Sequence, residues 1–262
     1  MGYQHMAVIF LDILGSRNTT GFKSKHDIHQ LFHNEVRLNE KRQKSLSHVI
    51  YDRKIVSFSD CAYIFYYYKD GIAADRKVDE NLIYIATYNT SLSVLKFLSK
   101  GYLVRGGISF GEAYIDDLGF FGPAVEKAYE VESKLARYPR LMFDRETGHR
   151  VFSWEHDMEK DPNLLALYRE TPFLTESDGD AYFANVFYDL EKNEHLTLED
   201  CTLDLGSVKR AIVERVSIDR AENINDDKVL EKLDWIEAYA LSKEIRLDPQ
   251  KAKTIFNLVP RR

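Results

Sequence analysis

Apolar positions along this chain follow two periods, and the switches between them lay out its elements. Residues 6–14 form a continuous apolar run broken by one carboxylate, Asp12. A run of that length, rich in Val and Ile, predicts a strand buried on both faces. A polar turn over residues 15–25 follows. From Asp27, apolar positions at Ile28, Leu31, Phe32, Val36 and Leu38 predict a helix. Residues 48–58 and 61–68 predict two strands joined around Ser59-Asp60, the second made of Tyr, Phe and Ile. Over residues 79–99 the period returns to that of a helix, with Gly101 placed as its C-terminal cap. Residues 102–116 alternate and predict a strand pair carrying Arg105-Gly106-Gly107. Pro123 opens a helix running to about Leu135. Leu141–Asp144 is a further strand candidate, and residues 150–170 predict a short helix with connections. Asp178-Gly179-Asp180 predicts a turn into a strand over 181–187. Helices are predicted over 197–218 and 226–245.

Helices interleaved with paired strands predict an α+β fold, helices packed on an antiparallel sheet. Residues 1–145 hold this pattern. Residues 146–262 read as the C-terminal part of the same body, a strand plus helices, since no low-complexity linker separates them. Hydrophobic residues make up 44% and charged residues 30%, which excludes a disordered chain. The net charge of −6 comes without a basic tract, so no nucleic-acid partner is expected. No apolar run approaches ~18 residues and no signal-peptide core opens the chain, so no membrane partner and a cytoplasmic location are expected. Only Cys61 and Cys201 occur, which implies no disulfide framework.

Chemistry concentrates at two carboxylates. Asp12 ends the first strand and Asp60 sits in the next hairpin. A strand-end Asp can cap its own turn. Two such residues can instead hold a divalent cation through hard oxygen ligands. His26, His29 and His33 fall on one helix face, a pattern that suits solvent better than metal.

Four segments in order resemble the class III nucleotidyl cyclases, the adenylate and guanylate cyclase homology domain. Phe10-Leu11-Asp12-Ile13-Leu14-Gly15 and Ser57-Phe58-Ser59-Asp60 are similar to that family's two metal motifs. Val104-Arg105-Gly106-Gly107-Ile108 with Gly111 is similar to its arginine-glycine strand, and Phe121-Gly122-Pro123-Ala124-Val125, continuing to Ala128 and Glu132, to its last catalytic helix. The resemblance implies a ferredoxin-like cyclase domain with a mainly helical C-terminal extension, working as a head-to-tail homodimer with sites at the interface. It implies a nucleoside triphosphate substrate and two divalent ions, manganese or magnesium. Asp12, Asp60 and the Ile13 carbonyl would be the metal ligands. Amides of Leu14, Gly15, Ser16 and Arg17 would meet the β- and γ-phosphates, and Arg105 would act in catalysis or brace its strand.

Departures from the family pattern bear on the substrate. Val56 and Gly119 stand where purine cyclases read the base, and neither side chain can hydrogen-bond a purine edge. Glu126 and Glu130 replace the helix Asn and Arg, leaving Lys134 and Arg137, further along, as candidate phosphate cations. The segment from Phe121 to Arg140, with Asp178-Gly179-Asp180-Ala181-Tyr182-Phe183, resembles the pyrimidine cyclases of bacterial Pycsar anti-phage systems. That resemblance implies a uridylate cyclase whose cyclic UMP activates a separate effector. A cytidylate cyclase is the close alternative, ahead of a purine cyclase and a non-catalytic nucleotide-binding module.

Overall fold

A computed structural model describes residues 2–16, 21–45, 49–158 and 172–246. Its first half is built as β1 (Gln4–Ile13), α1 (Phe22–Ser45), β2 (Tyr51–Phe58), β3 (Cys61–Tyr68), α2 (Asp79–Leu98) and β4 (Val104–Ile115). The strand order is β2-β3-β1-β4, and every neighbouring pair is antiparallel. This is the ferredoxin-like arrangement, with β1 central because both its edges are paired. Its two faces meet different layers. Ala7, Ile9, Leu11 and Ile13 belong to one core with Ile28, Phe32, Leu82 and Leu95. Met6, Val8 and Phe10 belong to a second with Tyr63, Phe65, Ala124 and Ala128. Burial on both faces is why β1 reads as a continuous apolar run rather than an alternating one.

The chain continues through β5 (Phe120–Phe121), α3 (Pro123–Glu130), β6 (Leu141–Phe143), α4 (Arg145–Met158), β7 (Thr175–Asp178) and β8 (Ala181–Ala184). Beyond β4 the sheet runs on through β6, parallel to β4, then β8 and β7. A short helix, α5 (Tyr188–Lys192), the hairpin of β9 (Leu196–Thr197) and β10 (Thr202–Leu203), and helices α6 (Leu205–Glu222) and α7 (Asp227–Ser242) follow. Leu205, Val208, Ile212, Leu233 and Ile236 join the core that contains α1 and α2. The fold is therefore mixed α/β, with a mainly antiparallel sheet and a largely helical C-terminal extension packed on it.

Several boundaries differ from expectation for identifiable reasons. Residues 102–116 hold one twelve-residue strand, not a pair; its return partner is only the two residues of β5, after the Asp116–Gly119 turn. The helix expected from Thr197 starts at Leu205, because Thr197 pairs with Thr202 in a hairpin and Asp204 is the cap, accepting from the Ser207 amide. Helix α1 starts at Phe22 rather than Asp27, and α4 at Arg145 rather than 150. The strand after Gly179 ends at Ala184, pairs with β7, a strand the sequence pattern did not mark, and gives way to α5. The rest of the segment expected over 150–170 lies outside the described residues beyond Met158.

Candidate active site

Strand register brings the two carboxylates to one place. Asp12 lies opposite Cys61 of β3, and Asp60 immediately precedes Cys61 in the β2–β3 turn. The Ile13 amide donates to the Asp60 carbonyl at 3.1 Å. The buried Ser16 hydroxyl donates to the Asp60 carboxylate, so the β1–α1 turn is fastened to the hairpin. Lys25 on α1 reaches back, donating to the Ser16 carbonyl at 2.5 Å. Burial, reinforced by the negative charges of Asp60, Asp12 and Glu132, pushes the Cys61 thiol up to about 12. Cys61 is thus a neutral packing residue in a locally acidic setting, not a nucleophile.

Arg105 is the counter-charge. It lies opposite Asp12 in the β1–β4 register, with a guanidinium nitrogen 3.9 Å from that carboxylate. Its Nε donates to Glu132 at 2.5 Å, and Nη1 to the Ala136 carbonyl at 3.4 Å. The Glu132 side chain is only 4% exposed, and Arg105 is the cation that pairs with it there. Glu132 arrives there because α3 lies flat on β4. A Cβ on Gly107 would stand 2.0 Å from the Ala128 carbonyl and 2.7 Å from the Glu132 amide. A π-helical turn over Val131–Leu135, closed by the Ala136 amide on the Val131 carbonyl at 2.9 Å, then carries the chain away. Such turns interrupt α-helices frequently at functional sites.

The other sequence-selected residues fall in separate places. Ile13 ends β1 and Leu14, Gly15 and Ser16 begin the turn after it; Arg17 lies outside the described residues. Val56 is half-buried opposite Tyr63 and packs against the second core. Gly119 is exposed in the β4–β5 turn, its amide on Asp116 at 2.9 Å. Lys134 is exposed and bonds Glu130 at 2.9 Å, while Arg137 pairs with Glu231 of α7. Glu126 is exposed. The rings of His29 and His33 stack on the exposed face of α1, and no metal-holding cluster of three or more His, Cys, Asp or Glu occurs among the described residues.

Sequence reasoning gave no role to Ser16 as a partner of Asp60, to Lys25, or to Glu132 as a partner of Arg105. A signal for the last was present: Glu132 continues the buried Ala124–Ala128 face by one turn, and a carboxylate on a buried face needs a cation.

The donor set fits a hard divalent ion of a particular kind. Two carboxylates and a nearby backbone carbonyl make no closed cage, and magnesium-type ions bind through one or two carboxylates plus substrate phosphates and water. Arg105, held chiefly by Glu132, stands 3.9 Å from Asp12 beside the acidic pair that Asp12 and Asp60 make at the strand ends.

No protein-family model and no curated protein matches the chain. Among solved structures, the catalytic core of a rhodopsin-guanylyl cyclase with converted specificity, in complex with ATPalphaS, is similar with a TM-score of 0.41 and 14% identity, covering 70% of this chain and 96% of that one. An adenylate/guanylate cyclase/hydrolase from Silicibacter pomeroyi is similar with a TM-score of 0.38 and 13% identity, covering 70% and 98%. A bacterial light-regulated adenylyl cyclase gives 0.38 and 11%, covering 82% and 100%.

Proposed function

We propose that the protein is a uridylate cyclase, converting UTP to 3′,5′-cyclic UMP and pyrophosphate. The observation that carries the reading is the meeting of Asp12 and Asp60 on adjoining strand ends, beside a turn that is fastened to Asp60 through Ser16. In the reaction the ribose 3′-oxygen bonds to the α-phosphorus, the bond from that phosphorus to the bridging oxygen of the leaving pyrophosphate breaks, and the 3′-hydroxyl proton departs to base or water.

Asp12, Asp60 and the Ile13 carbonyl would hold two manganese or magnesium ions. When bound, such ions favour the deprotonated hydroxyl and neutralise phosphate charge. Amides of the turn from Leu14 to Arg17 would face the β- and γ-phosphates. Arg105, fixed by Glu132, would hold the Asp12 carboxylate in place and stop it from collapsing onto its neighbours. Lys134 and Arg137 are further phosphate cations, each of which a triphosphate would have to draw from a carboxylate.

Base choice follows from what the pocket positions lack. Val56 and Gly119 offer no side-chain hydrogen bond to a purine edge, which supports a pyrimidine. Uracil is preferred over cytosine on the likeness to the Pycsar cyclases, and with it a role in anti-phage signalling through a separate effector. Homodimer formation is supported by exposed aromatics on the α3 side: Phe58 and Tyr129 are each about half exposed and contact the rings of Tyr63 and Phe10.

The reading is tested by incubating the protein with each ribonucleoside triphosphate and manganese. Cyclic UMP is expected; cyclic AMP or GMP would remove the pyrimidine assignment while keeping the reaction.

A further inference from the structure

A cavity of about 430 Å³ lies between the β1–α1 turn, the start of α1, the α2–β4 turn and helix α6. Its polar walls include Ser16, Ser24, Lys100, Glu214 and Arg215. Ser16 joins it to the acidic pair, since the same residue lines the cavity and donates to Asp60. Lys25 adds a charge at the Ser16 carbonyl. Gly15 and Gly101 both have φ of +76°, and a Cβ on either would stand 3.9 or 3.7 Å from Arg215. Both turns therefore bring bare backbone to this one side chain. Arg215 is held in orientation by Asp219, which accepts from its Nε at 2.8 Å and sits 2.8 Å from Nη2. That fork fixes the guanidinium plane and leaves further N–H groups to offer an anion. Glu214 on the same wall keeps the cavity from being a bare cationic hole, which suits a polyphosphate carrying a divalent ion.

We infer that this cavity receives the polyphosphate group of the substrate, with Lys100 and Arg215 as its cations. The inference rests on the cyclase reading. It assigns the C-terminal extension a direct part in substrate binding, because α6 supplies one of the two cations. It also answers the charge deficit left by Glu126 and Glu130 with residues from other elements.

The test is titration calorimetry of the full chain with inorganic pyrophosphate and manganese, repeated on Lys100→Gln and Arg215→Gln. A charge-assisted hydrogen bond is worth about ten-fold in affinity. Each variant is expected to weaken pyrophosphate binding by roughly that factor and to raise the KM for the triphosphate while leaving kcat within a few-fold. Lys100 follows the end of α2, so Lys100→Gln decides the matter should Arg215→Gln fold poorly. Pyrophosphate binding within two-fold of wild type in Lys100→Gln overturns the inference. If the variants cyclise with unchanged KM, the cavity assignment fails and the cyclase reading stands. If they lose pyrophosphate binding in a protein that makes no cyclic nucleotide, the cavity binds polyphosphate and the cyclase reading fails.

Discussion

Replacing Gly107 with alanine places a methyl group where the backbone of α3 already sits. The new Cβ would be 2.0 Å from the Ala128 carbonyl oxygen, 2.7 Å from the Glu132 nitrogen and 3.0 Å from the Val131 side chain. Two of the three obstacles are backbone, so no rotamer change relieves them. To reach ordinary contact at 3.4 Å the carbonyl must retreat by about 1.4 Å. That lifts the buried Ala124, Val125, Ala128 and Val131 face from the sheet. Overpacking costs ~1–3 kcal/mol where side chains can yield and more where they cannot, so about 3 kcal/mol is expected. At 2–4 °C per kcal/mol for a chain of this size, the melting temperature falls by about 6–12 °C. Glu132 moves with the helix and leaves Arg105 without its main partner, so turnover should fall by more than ten-fold even below the transition. Thermal unfolding followed by circular dichroism reads the first effect and a cyclisation assay at 15 °C the second. Gly2→Ala, where a Cβ would meet nothing within 4 Å, is the control and should change neither. A Gly107→Ala protein melting within 2 °C of wild type would refute the packing argument and, with it, the placement of Glu132.

Other outcomes follow from the same contacts. Asp12→Asn and Asp60→Asn should each lower turnover at least a hundred-fold, with circular dichroism unchanged; an Asp60→Asn enzyme of normal activity would remove Asp60 from the site. Glu132→Gln leaves the largely buried Arg105 with a neutral partner, and ~2–3 kcal/mol of stability should be lost in a denaturant melt. Asp204→Ala removes the cap of α6 and should cost ~0.5–2 kcal/mol at neutral pH. The hydrogen bond from the Ser207 amide, with the Ser207 hydroxyl beside it, holds the Asp204 carboxyl below its ordinary value of 3.8. Its stabilisation is therefore complete above pH 3.8 and is lost as pH falls through the lower folded value, where wild type and Asp204→Ala should converge.

The layout of the sheet was legible because its strands carry their own signals. The apolar run of β1, the aromatic run of β3, the Ser59-Asp60 turn between β2 and β3, and the Gly101 cap of α2 each stand in a short window of sequence. Asp12 and Asp60 stood out for the same reason, as charges ending apolar runs. What could not be read depends on contacts between distant segments. The Arg105–Glu132 pair joins residues 27 apart, and only the flat seating of α3 on Gly107 makes it. Arg137 stands in the sequence as a candidate phosphate cation, but its pairing with a glutamate 94 residues later is not visible there. Arg215 had no motif at all, since its place opposite Gly15 follows from how α6 packs. The Thr197 boundary failed because a two-residue hairpin is too short to show a period.

Product identification is the most direct trial of the central claim. The full chain is incubated with ATP, GTP, CTP and UTP separately, with manganese, and the products are identified by mass spectrometry beside an Asp60→Asn control. Cyclic UMP and pyrophosphate from UTP, absent in the control, is the expected result, and cyclic CMP would move the base assignment without disturbing the site. A folded protein that binds triphosphates yet forms no cyclic nucleotide from any of the four would contradict the assignment of Asp12 and Asp60 to cyclisation.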